Sequence, residues 1–377
     1  MSNLTSEPPI RVLVVDDSVI VRKAVLDALK PDPEIDIVGT AANGKIALEK
    51  IPQLKPDVLI LDIEMPFCDG FEVLKGIRKQ GLRVRTIMFS TLTERGASQT
   101  IKALSLGAHD YVPKPSSGTK IHSYSEGVKQ VALELTPKIK QFRKKSSLNR
   151  VSVQKSAAAS PIKKAPVTPI RARAAFSVMP QIVAIGISTG GPEALAKLLP
   201  SLSGGLPVPV VIVQHMPPLF TKLLAERLNA NSKIEVVEAE DGMRLQAGTA
   251  YLAPGDYHMV VRDSGAKVCL SLNQSPPENS CRPAADVLFR SVAAVYGKRA
   301  LGVIMTGMGH DGLKGLRDMH AKGAAVIAQD EASSVVWGMP SGVVQEGLAD
   351  KVLPLTQLAG AIELSVKQKR TLSAQAG

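Results

Sequence analysis

VAIGISTGGPEAL (Val183–Leu195) reads as a strand running into a helix. Val183, Ala184, Ile185 and Ile187 form an apolar run, and Thr189-Gly190-Gly191 turns the chain. Pro192 fits the first helical position, where no backbone N–H is needed. Strand, tight turn and helix in that order make the repeating unit of a parallel α/β sheet. Ser188 stands at the turn, which raises a question of chemistry. A dinucleotide fingerprint needs glycine where Ser188 stands, and an acidic residue about twenty positions on. The next strand candidate ends instead in Gln214-His215. A phosphate-cradling Walker loop needs a lysine after its glycines, where this chain has Pro192. Gly186-Ile187-Ser188-Thr189-Gly190 does fit G-x-S-x-G, the mount of an exposed nucleophile, and the helix behind it offers N–H groups to an oxyanion. A glycine-rich turn with an idle serine fits that pattern equally.

A serine nucleophile needs a base, and the base needs an orienter. His215 ends the candidate strand "VPVVIVQHM", and Asp311 follows "LGVIMTG" inside the glycine-rich "GMGHDG". The carboxyl ends of parallel strands face one crevice, so Ser188, His215 and Asp311 can meet there. His258 and His310 compete as bases. His258 belongs to a hairpin region, and His310, beside Asp311, is expected to point away from it. "KIEVVEAE" and "AAVIAQD" extend the strand set, with helical segments such as "PEALAKLLPSL" and "LFTKLLAERLN" between strands. "GTAYLAPGDYHMVVRD" and "AKVCLSL", parted by Ser264-Gly265, predict a β-hairpin insertion. The expectation is a doubly wound parallel α/β domain over residues 181–370.

Upstream, "RVLVVDD", "IDIVGTA", "DVLILDI", "RTIMFST" and "HDYVPKP" alternate with helix-period segments such as "SVIVRKAVLDALK" and "FEVLKGIRK". This pattern predicts a flavodoxin-like parallel sheet over residues 10–125. Polar residues stand at its strand ends: Asp16 and Asp17 after the first, Asp62 after the third, Ser90 after the fourth, and Lys114 after the fifth. Three converging carboxylates repel one another unless a cation joins them. A Mg²⁺ ion held by carboxylates and waters satisfies them and leaves room for phosphate oxygens. Lys114 and the Ser90 hydroxyl are then placed to meet a phosphoryl group.

Residues 126–180 are expected to be the end of a helix followed by a flexible basic linker. Between Gln141 and Pro180 there are nine Lys and Arg and no Asp or Glu, and without them the net charge of +12 falls to +3. Such a Ser-, Ala- and Pro-rich tract self-repels and extends. The charge therefore reads as a tether, and aromatics at 3% leave little for stacking nucleic-acid bases. No apolar run nears the roughly 18 residues of a membrane span, which argues against membrane insertion. The opening "MSNLTSEPPI" lacks signal-peptide character, and three scattered cysteines form no disulfide framework. The cytoplasm is the expected compartment.

On "VVDDS", "LDIEMPFCDG" and "YVPKP", the first half resembles the receiver domain of two-component response regulators. That resemblance implies Asp62 as phospho-acceptor, and Asp16, Asp17, Asp62 and the Glu64 backbone carbonyl as Mg²⁺ ligands. It also implies Ser90 and Tyr111 as a switch pair, with Lys114 touching the phosphoryl group. On "GISTGGPEAL", "VQHMP", "YLAPGDYHM", "RPAADVLF", "MTGMGHDG" and "QDEASSVVWGMP", the whole chain resembles the chemotaxis response-regulator protein-glutamate methylesterases. The implied activity is hydrolysis of glutamate methyl esters on methyl-accepting chemotaxis receptors, releasing methanol and extending to deamidation of receptor glutamines. The resemblance implies Ser188 as nucleophile, His215 as base, Asp311 as orienter, and Thr189 and Met308 as residues shaping the site. The expected phosphodonor is a sensor histidine kinase, and the esterase step is expected to need no cofactor. A response regulator acting only by binding, through the linker and an inert second domain, stays open at this point.

Overall fold

The computed structural model describes residues 8–91, 93–114, 123–143, 178–265 and 267–367. In the first unit, strands β1 (Ile10–Val15), β2 (Ile35–Ala41), β3 (Val58–Leu61), β4 (Arg85–Ser90) and β5 (Asp110–Pro113) alternate with helices. These are α1 (Val19–Leu29), α2 (Gly44–Leu54), α3 (Gly70–Lys79), α4 (Glu94–Ser105) and α5 (Tyr124–Lys140). The strands pair in parallel in the order β2-β1-β3-β4-β5, the flavodoxin-like arrangement expected. Helices cover both sheet faces, so the strands are apolar almost throughout; all of β3, VLIL, is buried. Side-chain caps start the helices: Ser18 accepts from Val21 N–H, Asn43 from Ile46 N–H, and Asp69 forms a reciprocal capping box with Glu72.

The boundary expected at residue 125 shifts. Helix α5 packs on α1 and buries Val131, Leu135 and Ile139 in the same cluster as Val25 and Leu29. The first unit therefore runs through Phe142, also buried in that cluster. The basic stretch expected as a linker lies, from 144 to 177, outside the described residues.

The second unit is built on β6 (Ile182–Ile187), β7 (Val210–Gln214), β8 (Glu235–Glu238) and β9 (Thr249–Leu252). Strands β10 (His258–Asp263) and β11 (Val268–Asn273) follow, then β12 (Ala300–Ile304), β13 (Ala325–Gln329) and β14 (Lys351–Leu353). Seven of these make one parallel sheet in the order β14-β13-β12-β6-β7-β9-β8. Its helices are α6 (Gly191–Leu198), α7 (Phe220–Asn229), α8 (Ala285–Tyr296), α9 (Leu313–Ala321), α10 (Met339–Gln345) and α11 (Leu355–Val366). Only β10 and β11 form the antiparallel hairpin. "GTAYL", expected within that hairpin, supplies β9 of the main sheet instead, because all four residues of β9 are buried and pair with β7 and β8. The short edge strand β14 carried no sequence signal of its own.

From β6 the chain winds toward β7 on one side, while β12 pairs with the other side. A crevice opens at such a reversal, outside the carboxyl ends of the strands. The first unit packs over this edge: α4 lies against α6 and α7, and the Tyr111 ring stacks on Phe220 at 4.7 Å. One apolar cluster runs through both units. Among the described residues, no helix is long and apolar enough to cross a membrane.

Because Leu135 is fully buried on α5, Leu135→Ala should destabilise the first unit by about 2–5 kcal/mol. The neighbouring Leu133→Ala, at a position 76% exposed, should change stability little. Chemical denaturation of both variants tests whether α5 belongs to that core; equal, small effects would remove it.

Candidate active site and phosphoryl site

Ser188 directly follows β6, and its turn is pinned on three sides. Ser188 N–H donates to the Thr306 carbonyl (3.0 Å) across the crevice. The Ser188 carbonyl accepts from Gly191 N–H (2.7 Å) and from the Gln214 side-chain amide (3.0 Å). The Thr306 hydroxyl donates to the Thr189 carbonyl (2.9 Å). Gly190 has φ +78°, and a Cβ there would sit 2.6 Å from the Val335 side chain, so the turn requires glycine. Gly307 lets the loop after β12 approach; its Cβ would lie 2.8 Å from that of Ser188. Among the described residues, the Ser188 hydroxyl makes no hydrogen bond.

His215 follows β7, and its Nε2 lies 2.7 Å from Asp311 Oδ2. Nδ1 is the remaining nitrogen, with the Cys281 thiol 3.6 Å away. Asp311 is buried and held by four further donors. Ala285 N–H reaches Oδ2 at 2.6 Å, while Asp286 N–H, Gly312 N–H and the Asn279 side-chain amide reach Oδ1. Two of these N–H groups belong to the first turn of α8, where the helix dipole favours an anion. Burial raises the Asp311 pKa, but His215 and the backbone donors outweigh it and hold the carboxyl below its ordinary value. Burial works against the His215 cation, yet the hydrogen bond and charge of Asp311, with the Cys281 contact, hold its pKa above the ordinary imidazole value.

Ser188, His215 and Asp311 thus line one cavity of about 280 Å³, together with Thr189, Met308 and His310. Of the competing histidines, His258 is engaged elsewhere, while His310 lines the same cavity without bonding to Asp311. His258 is buried, with Nε2 near the Pro276 carbonyl and Nδ1 accepting from Ala284 N–H. His310 makes no hydrogen bond to Asp311; its Nδ1 faces Gly342 on α10.

Residues that sequence reasoning missed come from the turn Glu278–Cys281. Asn279 and Ser280 both have positive φ there, and Glu278 and Cys281 bridge across them. This turn aims Asn279 at Asp311 and at the buried Asp286, and carries Cys281 to His215. "ENS" before an apolar run signals a turn, but nothing local says that it reaches Asp311.

At the other site, Asp16, Asp17 and Asp62 bring carboxylate oxygens within 4.8 Å of one another. Lys114 Nζ lies 2.8 Å from both Asp16 Oδ2 and Asp62 Oδ2. Burial raises the Asp62 pKa to about 6, with Lys114 opposing and Asp16 adding to the rise. The Ser90 hydroxyl donates to Thr100 on α4 (2.5 Å), whose own proton goes to the Gly96 carbonyl. The Glu64 side chain pairs with Arg95, and its backbone carbonyl accepts no hydrogen bond among the described residues. Tyr111 is buried under Phe220 of the second unit.

The CheB methylesterase family matches residues 183–362, and the response regulator receiver domain family matches residues 12–126. A protein-glutamate methylesterase/protein-glutamine glutaminase of Nocardioides sp. is 48% identical, covering 98% of this chain and 99% of its own. One of Trichodesmium erythraeum is 47% identical, covering 94% and 98%. Among solved structures, the Thermotoga maritima CheB methylesterase catalytic domain is 44% identical over 50% of this chain and 99% of that one, with a TM-score of 0.48.

The His215–Asp311 pair predicts its own titration. Removing the carboxylate removes what stabilises the imidazolium, so Asp311→Asn should lower the His215 pKa from its raised value. NMR titration of the ring carbons measures this; an unchanged pKa would assign the shift to another group.

Proposed function

This chain belongs to the receiver-linked CheB methylesterase family, and from that premise we propose that Ser188 is its nucleophile, His215 its general base and Asp311 the carboxylate that orients the base. The chain is a protein-glutamate methylesterase and glutaminase of chemotaxis adaptation, activated through phosphorylation of its receiver. Its substrates are chemotaxis receptors, and its phosphodonor is the kinase of the two-component pathway. The observation that carries the residue assignment is the convergence of three strand ends on one cavity, with His215 Nε2 committed to Asp311.

That commitment decides which nitrogen works. The ring acts as base in its neutral form: Nδ1 takes the proton as Ser188 Oγ attacks the glutamyl ester carbonyl, and Asp311 stabilises the imidazolium that forms. The Thr189 N–H, without a hydrogen-bond partner among the described residues, and the N-terminus of α6 lie beside the developing oxyanion. Nδ1–H then protonates the leaving methoxide, which departs as methanol. Water, activated by the same nitrogen, releases the glutamate carboxylate and restores Ser188. A glutamine side chain follows the same path with ammonia as the leaving group. Met308 and Thr189 wall the acyl group, and this chemistry draws only on protein groups.

In the receiver, phosphorylation is Mg²⁺-dependent, and the acidic cluster fits such an ion. Asp16 Oδ2 is buried with the Lys114 ammonium as its partner at 2.8 Å, which leaves the carboxylate capacity for a cation. Asp16, Asp17, Asp62 and the Glu64 carbonyl would hold Mg²⁺, which supplies charge neutralisation for the incoming phosphoryl group. Asp62 is the acceptor in this reading, with Lys114 and Ser90 turning to the new oxygens. Ser90 must leave Thr100 to do so, and Thr100 sits on α4, which packs on α6 and α7. Tyr111, stacked on Phe220, is carried by the same face. Phosphoryl contacts therefore bias the interface that covers Ser188, by a coupling of about 1–3 kcal/mol, or roughly 5- to 150-fold in activity. The cytoplasm is the compartment this chemistry calls for.

Methanol release from methylated receptor tests the assignment. Ser188→Ala should fold normally and lose nearly all activity, His215→Ala should be nearly as inactive, and Asp311→Asn partly so. Retention by His215→Ala, with loss by His310→Ala, would reassign the base. With a phosphodonor and Mg²⁺, wild type should speed up and Asp62→Asn should not; a response from Asp62→Asn would move the acceptor elsewhere.

A further inference from the structure

The receiver does more than stand in the way of the crevice. Gly190 N–H, two residues past the nucleophile, donates to the receiver's His109 carbonyl at 3.0 Å. The Thr189 hydroxyl, one residue past it, donates to the receiver's Asp110 carboxylate at 2.9 Å. His109, Asp110 and Tyr111 line the same cavity as Ser188 and His215.

This contact is built from both sides. Asp110 is only 7% exposed, and each of its oxygens has two donors. Oδ1 receives Lys138 Nζ (2.7 Å) and its neighbour's Tyr111 N–H (2.8 Å); Oδ2 receives the Gln141 amide (2.9 Å) and the Thr189 hydroxyl, whose one proton also has the Gln141 Oε1 of the receiver within 3.0 Å. His109 is fixed by its Nδ1, which accepts from Thr86 N–H on β4 (3.1 Å), and this sets the direction of its carbonyl. An apolar plug would exclude a receptor equally well without burying a charge, which costs free energy unless the charge is fully partnered. Here the buried charge is a side-chain carboxylate, the functional group of the reaction's product, and it meets the donor next to the nucleophile.

We propose that Gly190 N–H and the Thr189 hydroxyl are substrate-binding groups, and that the receiver inhibits by seating its His109 carbonyl and Asp110 carboxylate on them as a mimic of the glutamyl product. The proposal rests on the esterase reading above and deepens it. Opening the interface then frees two oriented donors, which receive a carbonyl and a carboxyl or ester oxygen of the receptor. Thr189 becomes a specificity-determining residue used twice, by the inhibitor and by the substrate.

Steric cover and mimicry predict different behaviour from two substitutions in the full chain. Methanol release from methylated receptor is measured with and without acetyl phosphate and Mg²⁺. Asp110→Asn keeps the side chain's shape but loses the carboxylate; it should raise the unphosphorylated rate by about tenfold or more and leave the phosphorylated rate unchanged. Asp110→Ala should do the same, with thermal unfolding as the check that both variants are folded. Thr189→Val removes a donor that both ligands need. Its unphosphorylated rate should stay at or below wild type, and its phosphorylated kcat/KM should fall about tenfold, chiefly through KM. If Thr189→Val instead behaves like Asp110→Asn, faster when unphosphorylated and normal when phosphorylated, Thr189 serves the interface alone and mimicry is overturned. An unphosphorylated rate unmoved by either folded Asp110 variant overturns it as well. No methanol from phosphorylated wild type would overturn the esterase reading itself, and the proposal with it.

Discussion

The hydrogen bond from Ser188 N–H to the Thr306 carbonyl ties together the two halves of a sheet that winds in opposite directions. At that reversal no crossover covers the strand ends, so two loops face each other over a crevice. Everything in the esterase site is referred to this pair of loops. One presents Ser188 and starts α6; the other passes through Gly307 and Met308 to Asp311 and starts α9. His215 enters from the next strand, β7, and is placed by its bond to Asp311. Gly307 is a consequence of the same closeness, since a Cβ there would lie 2.8 Å from that of Ser188, while Gly190 is required by Val335 of the loop after β13.

Buried charge follows one rule in both units. Asp311 is stabilised as an anion by the first turn of α8, by Asn279 and by His215. Asp62 lies under a single cation, Lys114, shared with Asp16, and burial lifts its pKa. The difference suits the two roles proposed for them. A carboxylate surrounded by donors stays ionised and orients a base; one with few partners beside a second acid retains capacity for a new ligand. Asp110 is a third case, a receiver carboxylate saturated with donors, one of which comes from the other unit. Two remote sites are thereby joined through β5, which runs from Asp110 at the esterase crevice toward Lys114 at the phosphoryl site.

Much of this was legible in the residues. Apolar runs ending in Asp16, Asp62 and Lys114 fixed the flavodoxin-like sheet and its acidic edge, because buried parallel strands need continuous apolar sequence and deliver polar residues only at their ends. The same reasoning brought Ser188, His215 and Asp311 to one crevice from three separate strands. It failed where local pattern and tertiary role part company. "GTAYL" looks like half of a hairpin but joins the main sheet, since strand partners are chosen by burial over the whole domain. Helix α5 follows the last receiver motif and leads toward the basic stretch, yet its apolar stripe completes the receiver core.

The sequence by itself determined the two parallel sheets, the strand ends that carry chemistry, and the residue types available there, because periodicity and strand-end position are local properties of a chain. Only the tertiary structure decided which nitrogen of His215 pairs with Asp311, that Asn279 and Cys281 reach the site from a distant turn, and that Thr189 and Gly190 are held by His109 and Asp110 of the other unit. These are contacts between residues 32 to 96 positions apart. Across such separations the partner of a hydrogen bond is set by how whole elements pack, and no spacing along the chain encodes it.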